Sequence, residues 1–372
     1  MYFCSRKKLT KGVLVLEFLS EVFTISVATS ATTEERMIHT ASSINAWLRC
    51  NRYHEFAYRL TYRPTQFSKA LEVGTAAHVG INEFWRKGNA ACAVAALDEH
   101  IKSTEFFASE SGEIEAVKVR AYVGGYCHRW AESYNLFDVI AVEHEWEWAA
   151  DDGLGPVQFA GKMDLILRRK KDGKLIIWDH KTSGVEDAKM FGSPWWSRLV
   201  MDTQVTLYRE AASFIFDELE GKLPEFWYDV VITSSAKGPK QKKTIRKKKD
   251  ESELQFSARK LANRESMTEF SRRMREMYRA EEERFIRRNI AIAHLEHDEK
   301  MGEILRIARN IEKPSQVLGV EFPRIRNTQA CMTRYGTCEF FEVCTGFDSL
   351  DSPAFAKKES AHSELSLKGD AA

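Results

Sequence analysis

The chain has 372 residues, 44% of them hydrophobic and 29% charged. That balance fits one elaborated domain or two small ones and excludes a largely disordered polymer. A formal charge of +1 excludes a uniformly basic nucleic-acid coat, so any such surface must be a local patch. Seven cysteines, an odd number at this length, argue against a disulfide framework and for a reducing, cytoplasmic setting where thiols are ligands or core residues.

Residues 1–36 carry a basic start, an apolar stretch and then small residues, the layout of a secretory signal, but Glu17 and Glu21 interrupt the apolar stretch. They are read as an extension before the domain, with Met37 a candidate start. No run is long and apolar enough to cross a membrane. Periodicity predicts helices over 42–60, 71–87 and 113–135; in the second, His78, Ile81 and Trp85 share one face. Strands follow at 139–149 and 157–168, then a third in "KLIIWDHKTSG", 174–184. A helix is expected over 198–220, a strand over 227–235 and charged amphipathic helices through 252–311. The segment 348–372 reads as a disordered tail, leaving 37–347 as the folded domain.

The strand at 174–184 poses a problem, because Leu175 to Trp178 belong in a buried sheet while Asp179, His180 and Lys181 follow at once. If Arg169 pairs with Lys174 across the "KKDG" turn, Asp164 falls opposite Asp179, and Lys181 shares their face. Facing carboxylates repel, so a site that buries both calls for a divalent cation; oxygen ligands beside a lysine suit Mg²⁺ or Mn²⁺. Glu143 or Glu145, on the preceding strand, is a further candidate, and the sequence does not choose between them.

These residues resemble a family. "GKMD", "IIWDHK" and "QVTLY" are similar to the Gly-x-x-Asp, Asp-x-Lys and Gln-x-x-x-Tyr motifs of PD-(D/E)xK nucleases of the RecB type, including the CRISPR-associated RecB-like exonucleases. "GTAAHVGINEFW" resembles that group's upstream histidine helix, and Met163 stands where the wider family has proline. The resemblance implies an α/β fold with a central mixed β-sheet flanked by helices, a restriction-endonuclease-like core. It implies Asp164, Asp179, His78 and the backbone carbonyl of His180 as metal ligands. Lys181 would orient the attacking water, offset phosphorane charge or, with its pKa lowered by the cation, take a proton; Gln204 and Tyr208 would position substrate. The implied activity is metal-dependent hydrolysis of DNA, as an exonuclease on ends or single strands. A structure-selective endonuclease and a non-catalytic DNA-end-binding protein are the alternatives. No ATP-binding Gly-x-x-x-x-Gly-Lys-Ser/Thr loop is present, so any motor would belong to a helicase or recombination partner.

Cys331, Cys338 and Cys344, with Cys50 far upstream, lack the Cys-x-x-Cys pairs of a zinc ribbon. They resemble the four-cysteine [4Fe–4S] staple of RecB-like exonucleases, which would join the two ends of the domain. The run "AKGPKQKKTIRKKKDE", 236–251, is either a solvated loop or a DNA-backbone contact. Trp195 and Trp196 are either core residues or base-stacking platforms.

Overall fold

The computed structural model describes residues 13–15, 37–66, 68–184, 186–291, 294–313, 316–317, 320–321, 324–333, 336–362 and 365. Apart from 13–15, the expected N-terminal extension lies outside them.

The strands of the main sheet are β1 (Val13–Val15), β2 (Ile38–His39), β4 (Phe137–Asp151), β5 (Pro156–Arg169), β6 (Leu175–Ser183), β7 (Glu225–Ile232) and β8 (Phe285–Asn289); β3 (Tyr62–Pro64) lies apart. The order is β1-β4-β5-β6-β7-β8, with β2 against β5. β4, β5 and β6 form an antiparallel meander, whereas β7 runs parallel to β6 and β8 antiparallel to β7. A parallel neighbour requires a crossover, and α6 (Pro194–Val200) with α7 (Thr203–Ile215) supplies it.

Helices cover both faces. Leu175 and Ile177 enter one core with Val205 and Leu207 of α7, Ile44 of α1 (Ala41–Arg49) and Ile304 of α10 (His294–Glu312). Ile176 and Trp178 enter the other, with α3 (Lys69–Lys87), α4 (Ala90–Ser103), α5 (Glu110–Trp130) and α9 (Met267–Ala280). A strand buried on both faces reads as an unbroken apolar run, which is why 175–178 does not alternate.

The fold is thus α/β with a mixed central sheet flanked by helices, and three local expectations need correction. The helix over 42–60 breaks at Cys50, whose φ of −167° is extended, before α2 (Asn51–His54) and a π turn over Glu55–Arg59. The stretch 252–311 is not all helical: α8 (Glu253–Ala262) and α9 precede β8, whose arginines gave it the look of an amphipathic helix. In the expected disordered tail, Phe355–Lys357 pairs antiparallel with β3, and buried His362 approaches the Ile38 carbonyl at 3.0 Å. Backbone pairing at an edge leaves no compositional trace.

Candidate active site

The hairpin register is the expected one. Arg169 donates to the Lys174 carbonyl at 2.9 Å, and Ile166 faces Ile177, so the register carries Asp164 opposite Asp179. The β5–β6 ladder ends at Leu165 and Trp178, while β5 pairs with β2 further back. The two carboxylates therefore sit where the strands part.

On the other side of β5, the pairs Val142–Leu165 and His144–Met163 flank Glu143 and Asp164, which the same register brings side by side. Of the two glutamates left open by sequence, it is Glu143 that meets His78 and Asp164, with one ligand atom from each within 4.8 Å of the others. Glu143 has φ +56°, a left-handed backbone that side-chain-bearing residues rarely adopt and that clusters at functional sites. Asn82, one helical turn after His78 on α3, donates to Glu143 at 2.5 Å, and Lys162 approaches its other oxygen at 2.5 Å. One imidazole and two carboxylates form a donor set suited to a divalent cation.

His78 reaches this point because α3 is amphipathic: Ile81 and Trp85 are buried, while the His78 side chain, 30% exposed, lies over the fork. Its Nδ1 is 3.7 Å from Asp164 and its Nε2 3.2 Å from the His180 carbonyl. The His180 amide donates to Asp164 at 2.8 Å. The expected ligands His78, Asp164 and the His180 carbonyl thus converge. Asp179 stands beside them, engaged instead by Lys181 at 2.6 Å and by the Gln204 amide.

Gln204 bridges the Asp-x-Lys pair, accepting from Lys181 at 2.9 Å while donating to Asp179. The α7 cap holds it in place: Asp202 accepts the Gln204 backbone N–H at 2.9 Å. Tyr208, one turn on, is buried against Trp146. Gly161, the glycine of the Gly-x-x-Asp motif, admits these rings, since a Cβ there would lie 2.7 Å from Trp146 and 3.1 Å from Tyr208.

Burial pushes the Asp179 carboxyl up to about 6, with Lys181 opposing and Asp164 adding to the rise. Burial works against the Lys181 ammonium, yet Asp179 and Asp164 outweigh it and raise its pKa. Tyr208 is also pushed up, by burial and then by the same carboxylates. In the metal-free protein, Lys181 is therefore a cation and Tyr208 a hydrogen-bond donor.

The His180 side chain points to the other face of β6, where sequence reasoning placed nothing. Its Nδ1 lies 3.3 Å from Asp229, which accepts from Tyr126 at 2.5 Å and from Arg287 at 3.1 Å. Arg287 is caged by aromatic rings, 3.6 Å from Trp130 and 4.4 Å from Trp178. This network anchors the residue whose backbone amide meets Asp164 and whose carbonyl meets His78.

Cys50, Cys331, Cys338 and Cys344 line one small pocket with Tyr53, Asn327 and Phe340. Asn327 donates to Cys50 Sγ at 3.3 Å, and Cys331 donates to the Asn327 carbonyl at 3.6 Å. No three of these sulfurs come mutually within 4.8 Å, as ligands of a single ion would. The basic run is anchored: Lys240 donates to Glu265, Lys242 pairs with Glu269 at 2.9 Å, and Gln241 bridges to Arg264. Trp196 is a core residue, 2% exposed and donating to the Ala188 carbonyl, with Trp195 partly buried against the same core.

The chain belongs to the PD-(D/E)XK nuclease superfamily, whose family model matches residues 39–345. Members of this superfamily are in general phosphodiester-cleaving hydrolases that use divalent metal ions. No curated protein matches the sequence. Among solved structures, one described as "Crystal structure of SSO0001" is 16% identical over 42% of this chain and 61% of that chain, less than two thirds of its length. Its TM-score of 0.19 is too low to carry an argument. No helix among the described residues is long and apolar enough to cross a membrane.

Proposed function

We propose that this protein is a Mg²⁺- or Mn²⁺-dependent deoxyribonuclease of the RecB type that works as an exonuclease on DNA ends or single strands. The observation that carries the catalytic reading is the convergence of His78, Glu143 and Asp164 beside Asp179, Lys181 and Gln204 at one fork in the sheet. A bound divalent cation supplies an activated water and neutralises phosphate charge. His78, Glu143, Asp164 and the His180 carbonyl would hold it, with Asp179 beside them held by Lys181 and Gln204. Lys181, cationic between two carboxylates in the metal-free protein, stabilises charge growing on the phosphorane. Gln204 keeps Lys181 and Asp179 in register, and the Tyr208 hydroxyl stays protonated as a hydrogen-bond donor.

The single-strand and end preference rests on the resemblance of the Gly-x-x-Asp, Asp-x-Lys and Gln-x-x-x-Tyr series. Incubation with end-labelled single- and double-stranded DNA, in Mg²⁺ and in EDTA, tests the whole reading. Progressive shortening from an end in Mg²⁺ alone is expected; internal cutting would move the assignment to an endonuclease, and binding without cutting to an end-binding protein.

Cys50, Cys331, Cys338 and Cys344 are proposed to hold a [4Fe–4S] cluster, whose thiolates stand further apart than those around one ion. Their shared pocket and the absence of Cys-x-x-Cys pairs support this over zinc. Anaerobically purified protein should be brown and contain iron and sulfide, and Cys331→Ser should lose both; colourless, iron-free, fully active protein would remove the cluster from the account.

A further inference from the structure

The row of site residues continues beyond the metal donors. β7 places Tyr228 beside Asp179, and β8 places Arg288 beside Tyr228. Laterally paired residues share a face, so Arg288 stands on the Asp179 face two strands away, about 10 Å at roughly 4.8 Å per strand. Lys181 lies 5.7 Å over the ring of buried Tyr228, which makes Lys181, Tyr228 and Arg288 successive steps outward from the site.

Arg288 is unlike its neighbour Arg287. Arg287 meets Asp229, whereas Arg288 has no carboxylate partner among the described residues, and its Nε is buried without a hydrogen-bond acceptor. Its guanidinium is flanked by two rings, 4.9 Å from Trp196 and 4.3 Å from Phe191. Trp196 is core, but Phe191 is 78% exposed and its neighbour Met190 is 58% exposed, in the segment joining β6 to α6. Sequence reasoning looked for stacking at the two tryptophans; the structure presents the phenylalanine instead.

We propose that Arg288 and Phe191 form a nucleotide clamp, in which the guanidinium receives a phosphate next to the scissile one and the Phe191 ring stacks on an unpaired base. The chemistry selects the ligand. A cation without an acid wants an anion, and an exposed ring beside it offers a face to any base, as in binders of single-stranded nucleic acid. A base inside a duplex has no free face, so the ligand is a single strand, and an extended strand covers about 10 Å within about two nucleotides. The proposal rests on the nuclease reading above and adds the residues that hold the strand.

The test uses full-length protein and short single-stranded DNA oligonucleotides carrying 2-aminopurine at successive positions from the end, with divalent metal removed by EDTA for binding and Mg²⁺ added for turnover. Wild-type protein should quench the probe at one position. Phe191→Ala should lose that quench and raise KM roughly tenfold with kcat little changed, while Phe191→Tyr should restore both. Arg288→Gln should raise KM and lower the salt slope of binding by about one. An abasic nucleotide at the quenched position should raise the wild-type KM but add nothing to Phe191→Ala. Wild-type protein that cuts DNA while Phe191→Ala quenches and cuts identically overturns the clamp alone. Wild-type protein that neither binds nor cuts overturns the nuclease reading, and the clamp with it.

Discussion

Asp179 and Asp229 are buried carboxylates on neighbouring strands, 2% and 1% exposed, and they have opposite fates. Burial alone would raise Asp229, but Arg287 and then His180 hold it down at about 2. Asp179 is pushed up to about 6, because Lys181 does not offset burial and Asp164 adds a like charge. One carboxylate is satisfied by its own protein. The other is left short of positive charge, at the place where His78, Glu143 and Asp164 offer donors to a cation. The difference separates an ion network satisfied within the protein from the candidate site, within one stretch of sheet.

The largest effect should come from breaking the satisfied side. Asp229→Ala leaves Arg287 buried and unpaired, and should cost about 3–5 kcal/mol in urea unfolding; a loss within experimental error would show that the network carries no stability. Lys181→Ala should leave the Mg²⁺ concentration giving half-maximal turnover almost unchanged and lower kcat about a hundredfold, roughly 3 kcal/mol. A large shift in that midpoint with kcat preserved would make Lys181 part of metal binding instead.

The two carboxylates also predict opposite pH slopes. The folded-state pKa of Asp179 lies above its unfolded value, so its contribution to stability is complete below about 4 and is lost as pH rises through about 6. Asp229 lies below its unfolded value, so its contribution is present above about 4 and is lost as pH falls through about 2. Each is on the order of 2 kcal/mol. In EDTA, Asp179→Asn should remove the downward slope between pH 4 and 6, as read by urea midpoints. The smallest effect belongs to the basic run: neutralising Lys242, Lys243, Lys247 and Lys248 should weaken DNA binding and flatten its salt dependence. An unchanged salt slope would leave it a solvated loop.

Much of the satisfying and frustrating of charge was legible before the fold. Hairpin parity put Asp164 and Asp179 on one face for any turn of even length, and directly opposite each other if Arg169 pairs with Lys174, as it does. The choice of Glu143 over Glu145 was not legible: it depends on a left-handed backbone angle that no residue pattern reports. The Asp229 network was hidden because β8 carries Arg287 and Arg288 in a strand whose charge suggested a solvated helix, when one arginine is caged by tryptophans and the other packs between two rings. Cys50 broke a helix whose periodicity ran straight through it.

The most direct measurement is Mg²⁺-dependent cleavage of end-labelled DNA by Asp179→Asn, taken with its unfolding midpoint at pH 7. The asparagine keeps the shape of the side chain and removes its charge. The account predicts no detectable cleavage, together with stability in EDTA equal to or above that of the wild-type protein, because an ill-compensated charge has gone. Cleavage at the wild-type rate, with contaminating nuclease excluded, would reduce the Asp179–Lys181 pair to a buried salt bridge and contradict the catalytic reading.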